Sequence, residues 1–107
     1  MLKINSPSFP TQNWVSTVTG QFLKEQRLMM GLSGEALAKK MQLSQQQISR
    51  YERGMTHINL TTLLRYFSVL NMDVREIQYF FELIVSWNEE VKEIHQRNIR
   101  RHYSHRG

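Results

Sequence analysis

The fold of this chain is decided by residues 32–54, which read LSGEALAKKMQLSQQQISRYERG. Ser33 and Ser44 are of a residue type that favours helix N-caps, so the stretch predicts two short helices, over residues 34–41 and 45–53. Helices this short cannot bury their own apolar faces. We therefore expect them to pack on neighbouring helices as a helix-turn-helix.

The second short helix carries side chains that suit DNA recognition. It opens with Gln45 and Gln46 and continues with Arg50 on its polar side, while Ile48 and Tyr51 supply apolar anchors. Gln can bond adenine, and Arg can bond guanine, with two hydrogen bonds each in the major groove. Taken alone, a polar helix start also fits an ordinary solvated surface, so the interpretation depends on the surrounding pattern.

The rest of the chain predicts three further helices and no strand, because no stretch alternates with a period of two. The first helix is expected to start at Thr17 or Thr19 and to end before Gly31. The fourth starts at Asn59, and an i, i+3, i+4, i+7 spacing predicts its buried stripe. That stripe consists of Leu60, Leu63, Leu64 and Phe67.

The fifth helix begins with a capping box formed by Asp73 and Glu76 and is predicted to run into the nineties. Its apolar residues follow alternating spacings of three and four, which is the pattern of a heptad seam. The seam predicts a homodimer, and the expected interface residues are Ile77, Phe80, Phe81, Ile84, Trp87, Val91 and Ile94. The alternative is that the helix folds back, so that Trp87 covers the N-terminal arm.

Composition limits the class of protein. The chain has 107 residues, enough for one small domain, and its net charge of +5 favours a polyanionic partner. It has no cysteine, which excludes a disulfide framework and a thiolate zinc site. No catalytic constellation, metal-ligand set or phosphate-binding glycine loop is found, so we expect no enzyme, metal or cofactor. Without a membrane-length apolar run or a signal peptide, the predicted location is the bacterial cytoplasm, on the nucleoid.

The charge is unevenly distributed along the chain. Residues 73–94 carry six acidic and two basic side chains, whereas residues 95–107 carry four arginines and no acidic side chain. The acidic balance of residues 73–94 predicts that the fifth helix faces away from DNA. The tail arginines fit either a solvated tail or a second set of phosphate contacts.

As a connected pattern, the sequence resembles the lambda repressor/Cro-type (XRE) helix-turn-helix family over roughly residues 17–80. The resemblance is carried by Leu32-Ser33-x-x-x-Leu37-Ala38, by residues 43–54, and by Leu63, Leu64 and Leu70. It implies an all-α, five-helix DNA-binding domain over residues 17–80. A mobile N-terminal arm over residues 1–16 precedes it, and an extension of helix five over 81–98 and a basic tail over 99–107 follow. Within the family, the sequence is most similar to the MrpJ-type regulators encoded with fimbrial operons, which repress motility.

The resemblance also implies roles for individual residues. Base contacts would come from Gln45, Gln46, Arg50 and Ser49. Ser44 and Gln47 would cap the helix or contact phosphate, and Ser49 would contact either a base or phosphate. Apart from the resemblance, Arg53 and the loop residues Thr56, His57 and Asn59 are candidate phosphate contacts, and the alternative for the loop residues is a plain connection. An ion pair between Arg27 and Glu52 would join the first helix to the recognition helix and set its angle.

Two positions depart from the family pattern. At the position of Gly34 the family often has a glutamine, which contacts both a DNA phosphate and the recognition helix. Gln42 stands where the turn usually has glycine, so a positive φ at this position would add strain of about 1 kcal/mol. Neither departure excludes the fold.

The predicted function is therefore that of a sequence-specific transcriptional regulator, a repressor of motility or fimbrial genes. It would bind double-stranded DNA at a pseudo-palindromic operator as a homodimer, because two recognition helices about 34 Å apart read two half-sites. No membrane partner and no small-molecule ligand is predicted. The alternative is a protein-interaction module or an antitoxin that binds a protein partner through helix five.

Overall fold

The computed structural model describes residues 13–88 and Arg97, and within this part of the chain it has five helices and no strand. The helices are α1 (Asn13–Met29), α2 (Gly34–Met41), α3 (Gln45–Glu52), α4 (Leu60–Val69) and α5 (Val74–Trp87). The predicted all-α, five-helix architecture is confirmed. None of the described helices is long and apolar enough to cross a membrane.

Four of the helices begin at the N-caps that the sequence predicts. The side chains of Ser33, Ser44 and Asn59 each accept a hydrogen bond from the backbone N–H three residues later. Asp73 and Glu76 form the expected capping box, in which each side chain accepts from the other residue's backbone N–H. Replacing such a cap by alanine typically costs about 0.5–2 kcal/mol, so these local bonds fix where the helices start.

Helix α1 starts earlier than predicted, at Asn13 rather than at Thr17 or Thr19. Its first turn is held by packing, because the ring of Trp14 stacks on that of Trp87 with centroids 6.4 Å apart. Ser16 is buried within the helix. The predicted arm over residues 1–16 is therefore too long, and residues 1–12 lie outside the described part of the chain.

The predicted buried stripe of α4 is wrong, because the observed stripe begins three residues later. Leu60 and Leu64 are 65% and 56% exposed, whereas the sequence places both in the core. The buried residues of this helix and its C-cap are Leu63, Tyr66, Phe67 and Leu70. They keep the same i, i+3, i+4, i+7 spacing, so the periodicity is right and only the face is shifted.

The predicted seam of α5 faces the core of its own protomer. Phe80 is only 2% exposed, and Ile77 and Ile84 pack against the core. The assignment of Phe80 to a dimer interface is therefore wrong, because the side chain is already buried between Phe22 and Phe67, with ring centroids 5.1 and 5.8 Å away.

Helix α5 also ends earlier than predicted. It stops at Trp87, and Asn88 has an extended backbone conformation with φ −105° and ψ 111°. The predicted continuation of the helix through Asn88 is therefore wrong. Val91 and Ile94, which the sequence assigns to the same seam, lie outside the described residues.

The turn between α2 and α3 has a positive φ at Gln42, which is unfavourable for a residue other than glycine. Gln42 lies in the left-handed region, with φ 60° and ψ 42°. Its backbone N–H closes the end of α2 through the carbonyls of Ala38 and Lys39. A side chain in this conformation costs about 1 kcal/mol or more relative to glycine, so the turn is locally strained.

Candidate DNA interface

Helix α3 presents a polar outer face and an apolar inner one. Ile48 is buried in the core, and the half-buried ring of Tyr51 packs edge-on against Tyr66 with centroids 6.1 Å apart. Gln45 and Arg50 are exposed on the other side, as is Gln46. Three of the four residues predicted to contact bases are thus available to a ligand that lies along α3, and the fourth, Ser49, is half-buried.

An ion pair joins α1 to the last turn of α3. Arg27 Nε donates to Glu52 Oε2 at 2.6 Å, and Nη2 donates to Oε1 at 2.9 Å. The third nitrogen, Nη1, donates to the carbonyl of Leu32 at 2.8 Å. The structure thus brings together the two residues that the family resemblance pairs, in a two-pronged geometry that fixes orientation as well as distance.

The environment of this pair indicates a positioning role. Both side chains are largely buried, and the hydrogen bond to Glu52 raises the pKa of Arg27 while burial opposes that rise. Buried pairs often recover no more than their desolvation energy, but loss of one partner leaves an uncompensated charge. We therefore attribute to Arg27 and Glu52 the angle of α3 against α1 rather than a net gain in stability.

A glycine allows α1 to approach α3 this closely. A Cβ added at Gly20 would lie 2.3 Å from the carbonyl oxygen of Tyr51 and 2.7 Å from that of Glu52. Any side chain at this position would push the two helices apart. Gly20 was not among the predicted site residues, although a glycine inside an otherwise helical stretch is a signal that could have identified it.

The loop after α3 contacts the first turns of α1. Ser16 Oγ lies 3.1 Å from Nδ1 of His57, and a Cβ added at Gly54 would lie 2.7 Å from Cα of Thr17. Gly54 has a φ of +73°, which suits glycine at this close approach. His57 is exposed and Thr56 is half-buried, so the residues predicted to contact phosphate lie in a loop whose position is fixed.

The remaining predicted site residues already make local hydrogen bonds. Ser44 Oγ accepts from the backbone N–H of Gln47 at 3.0 Å as the helix cap. Arg53 Nε donates to Ser49 Oγ at 3.2 Å, which holds the Arg53 side chain back along α3. Ser49 is therefore placed to orient Arg53.

Tyr66 lies behind the ion pair and was not singled out by the sequence. It is fully buried, and its hydroxyl oxygen has no hydrogen-bond partner among the described residues. Burial raises the pKa of this hydroxyl, and the nearby Glu52 carboxylate raises it further. No sequence signal separates such a tyrosine from the apolar residues of its stripe.

The architecture agrees with comparisons to known proteins. A family described as helix-turn-helix matches residues 23–77. The chain belongs to the helix-turn-helix family. In such domains the second helix of the motif is the one that enters the major groove of DNA.

Two individual proteins are similar to this helix-turn-helix chain. The crystal structure of the restriction-modification controller protein C.AhdI from Aeromonas hydrophila matches with a TM-score of 0.56 and 31% identity, over 61% of this chain and 94% of that one. An uncharacterized HTH-type transcriptional regulator of Rickettsia prowazekii is 32% identical over 85 residues, or 78% of this chain. The chain spans 63% of that relative's length.

Proposed function

We propose that this protein is a sequence-specific DNA-binding transcriptional regulator that reads the major groove with α3. The observation that carries the proposal is the outer face of α3, where Gln45, Gln46 and Arg50 are exposed while Arg27 and Glu52 fix the helix from behind. Gln can donate to N7 of adenine and accept from its N6 amino group, whereas Arg can donate to both N7 and O6 of guanine, so the two side chains distinguish the two bases. Ser49 joins the base contacts, and phosphate contacts come from Ser44, Gln47, Arg53, Thr56, His57 and Asn59.

Replacement of Arg50 by alanine tests this proposal. A bidentate contact discriminates between the right and the wrong base by about 1–3 kcal/mol. The measured quantity is the affinity for the best-binding DNA site, called the selected site, divided by the affinity for random DNA. Arg50→Ala should lower this ratio by roughly 5- to 150-fold. Arg75→Ala is the matched control, because Arg75 is an exposed arginine on α5. An unchanged ratio for Arg50→Ala, with normal melting, would show that α3 does not read bases through this residue.

We further propose that the regulator acts as a homodimer on a pseudo-palindromic operator. The support is an exposed apolar surface formed by Leu60, Leu64 and Phe81, which we call the α4–α5 face. Phe81 packs on Phe67 with ring centroids 6.4 Å apart, and Phe67 is three residues from Leu64 on α4, so the two helices contribute to one surface. A second copy would bury this face and supply the second recognition helix that a two-fold operator needs.

The oligomeric state can be measured with a matched pair of variants. Leu64→Arg places a charge on the α4–α5 face, whereas Met29→Arg places the same charge at the exposed end of α1. In sedimentation experiments at micromolar concentration, Leu64→Arg should convert the dimer to a monomer and weaken operator binding, and Met29→Arg should do neither. A wild-type monomer that binds a single half-site with full affinity would contradict the dimer.

We also propose that the protein represses motility or fimbrial genes from the bacterial cytoplasm. The support is the similarity of residues 44–52, SQQQISRYE, to the MrpJ-type regulators. Genome-wide recovery of DNA fragments on the purified protein should enrich promoters of such genes, and deletion of the gene should raise their transcripts. Enrichment of unrelated promoters would leave DNA recognition intact and remove this assignment of targets.

A further inference from the structure

A buried serine of α1 contacts a histidine in the loop that follows the recognition helix. Ser16 is 7% exposed, and its Oγ lies 3.1 Å from Nδ1 of His57, whose side chain is exposed. The path of the loop has other supports, because Gly54 packs on the backbone of Thr17 and Asn59 caps α4. The hydroxyl of Ser16 therefore acts on the imidazole ring rather than on the backbone of the loop.

The surroundings of Ser16 give the direction of this hydrogen bond. A serine hydroxyl has one proton to donate, and a buried donor normally has an acceptor. Within the part of the chain that the structure describes, Nδ1 of His57 is the only hydrogen-bond partner of Ser16 Oγ. The hydroxyl therefore donates to Nδ1, and a neutral ring carries its proton on Nε2. A protonated ring also has a proton on Nε2, so this nitrogen is a donor in both states.

The donor at Nε2 belongs to a loop that adjoins the recognition helix. Met55 donates its backbone N–H to the carbonyl of Arg50 at 2.9 Å, so the loop begins by turning back on the last turn of α3. His57 is two residues further, or at most about 7 Å of extended chain. A helix that lies in a major groove about 12 Å wide has a phosphate backbone on each side, so a loop at its end comes next to phosphate. Nε2 makes no hydrogen bond to any described residue and is free to bind such a ligand.

We propose that Ser16 is a positioning residue for DNA binding, which holds His57 so that Nε2 donates to a phosphate oxygen. This inference rests on the proposed DNA binding. Ser16 does not itself contact DNA, because it is buried. Without its hydroxyl, the ring of His57 can rotate and either nitrogen can carry the proton, so fewer of its conformations suit phosphate. The contact contributes to affinity but not to sequence preference, because phosphates do not distinguish bases.

A double-mutant cycle on DNA affinity tests the proposal. Ser16→Ala, His57→Ala and the double variant are compared with Ser68→Ala, which makes the same substitution at an exposed position of α4. His57→Ala should weaken binding to the selected site and to random DNA alike by roughly 10-fold, the value of one hydrogen bond to a charged group. Ser16→Ala should cause part of this loss, at least about 2-fold, with little change in melting temperature, because alanine is the better helix former.

The outcomes distinguish a positioning role from a structural one. The expected result is that Ser16→Ala weakens binding in the wild-type background but not in the His57→Ala background, while Ser68→Ala binds like the wild type. Wild-type affinity in Ser16→Ala, or losses that multiply in the double variant, would overturn the positioning role. NMR of the ring nitrogens at alkaline pH, where imidazole rings are neutral, should find the His57 proton on Nε2, and a proton on Nδ1 would overturn the assignment.

The same experiments separate this inference from the proposed function. If the positioning role fails, loss of selectivity in Arg50→Ala would still support the reading of DNA by α3. Wild-type protein that binds no duplex at all would overturn both.

Discussion

Gly20→Ala is the change by which the packing of α1 on the recognition helix can be tested most directly. The added Cβ would lie 2.3 Å from the carbonyl oxygen of Tyr51, whereas real Cβ atoms essentially never approach a heavy atom within 3.0 Å. The two helices must therefore separate by at least about 0.7 Å at this point. Because the obstructing atoms belong to backbone, no flexible side chain can move aside.

The magnitude follows from two opposing effects. Overpacking of a well-packed site typically costs about 1–3 kcal/mol, and a clash with backbone belongs at the upper end of that range. Alanine is favoured over glycine inside a helix by about 1 kcal/mol, which offsets part of the loss. We expect Gly20→Ala to lower the free energy of unfolding by about 2 kcal/mol, or the melting temperature by roughly 10 °C.

Gly34→Ala is the matched control, because it makes the same substitution at the start of α2. A Cβ at Gly34 would lie 3.8 Å from Nε2 of Gln45, which is ordinary van der Waals contact. Thermal and urea unfolding should show this variant unchanged or stabilised by up to about 1 kcal/mol. Gly20→Ala should also weaken DNA binding, since α1 carries Arg27. A Gly20→Ala protein as stable as the wild type would refute the close approach of α1 and α3.

Three further predictions concern the turn, the core and the ion pair. Gln42→Gly should raise the free energy of unfolding by up to about 1 kcal/mol in urea, because it relieves the left-handed strain at some entropic cost, and a loss would show that the turn is unstrained. Tyr66→Phe should be at least as stable as the wild type, because the buried hydroxyl has no partner. Burial raises the pKa of Tyr66 in the folded state above its unfolded-state value of about 10, so the unfolded state ionises first as the pH rises. The wild type should therefore lose stability above about pH 10 while Tyr66→Phe does not, and the difference should grow in favour of Phe in alkaline unfolding experiments. Arg27→Ala and Glu52→Ala should each cost about 3–5 kcal/mol, and a double-mutant cycle should show strong coupling, whereas additive losses would mean that the side chains do not interact.

The local signals of this sequence were enough to predict the helix-turn-helix. Ser33, Ser44 and Asn59 cap helices through bonds to backbone only three residues away, so the surrounding structure has little influence on them. The start of α1 could not be predicted in this way. It depends on Trp14 meeting Trp87, a contact between residues far apart in the chain.

The sequence predicts the chemistry of the candidate site, but it does not reveal the residues that support the site. Gln45 and Arg50 are recognisable because their side chains suit base edges and follow a strong N-cap. Gly20 matters because it lies close to the backbone of α3, and Tyr66 matters because it lies close to the Arg27–Glu52 ion pair. A single sequence contains no direct record of that distance, which is why neither residue stood out.

The apolar pattern of α5 shows that a heptad spacing does not reveal which surface covers the apolar face of the helix. Spacings of three and four place side chains on one face, and in this chain α1 and α4 cover that face within the same protomer. A coiled coil through the same seam would have to withdraw Phe80 from its core, at a cost of about 1.5–3 kcal/mol per protomer in lost burial alone. Leu60 and Leu64 need no such rearrangement, because they are already exposed in the folded protomer. A dimer through the α4–α5 face therefore costs less than a dimer through the heptad seam of α5.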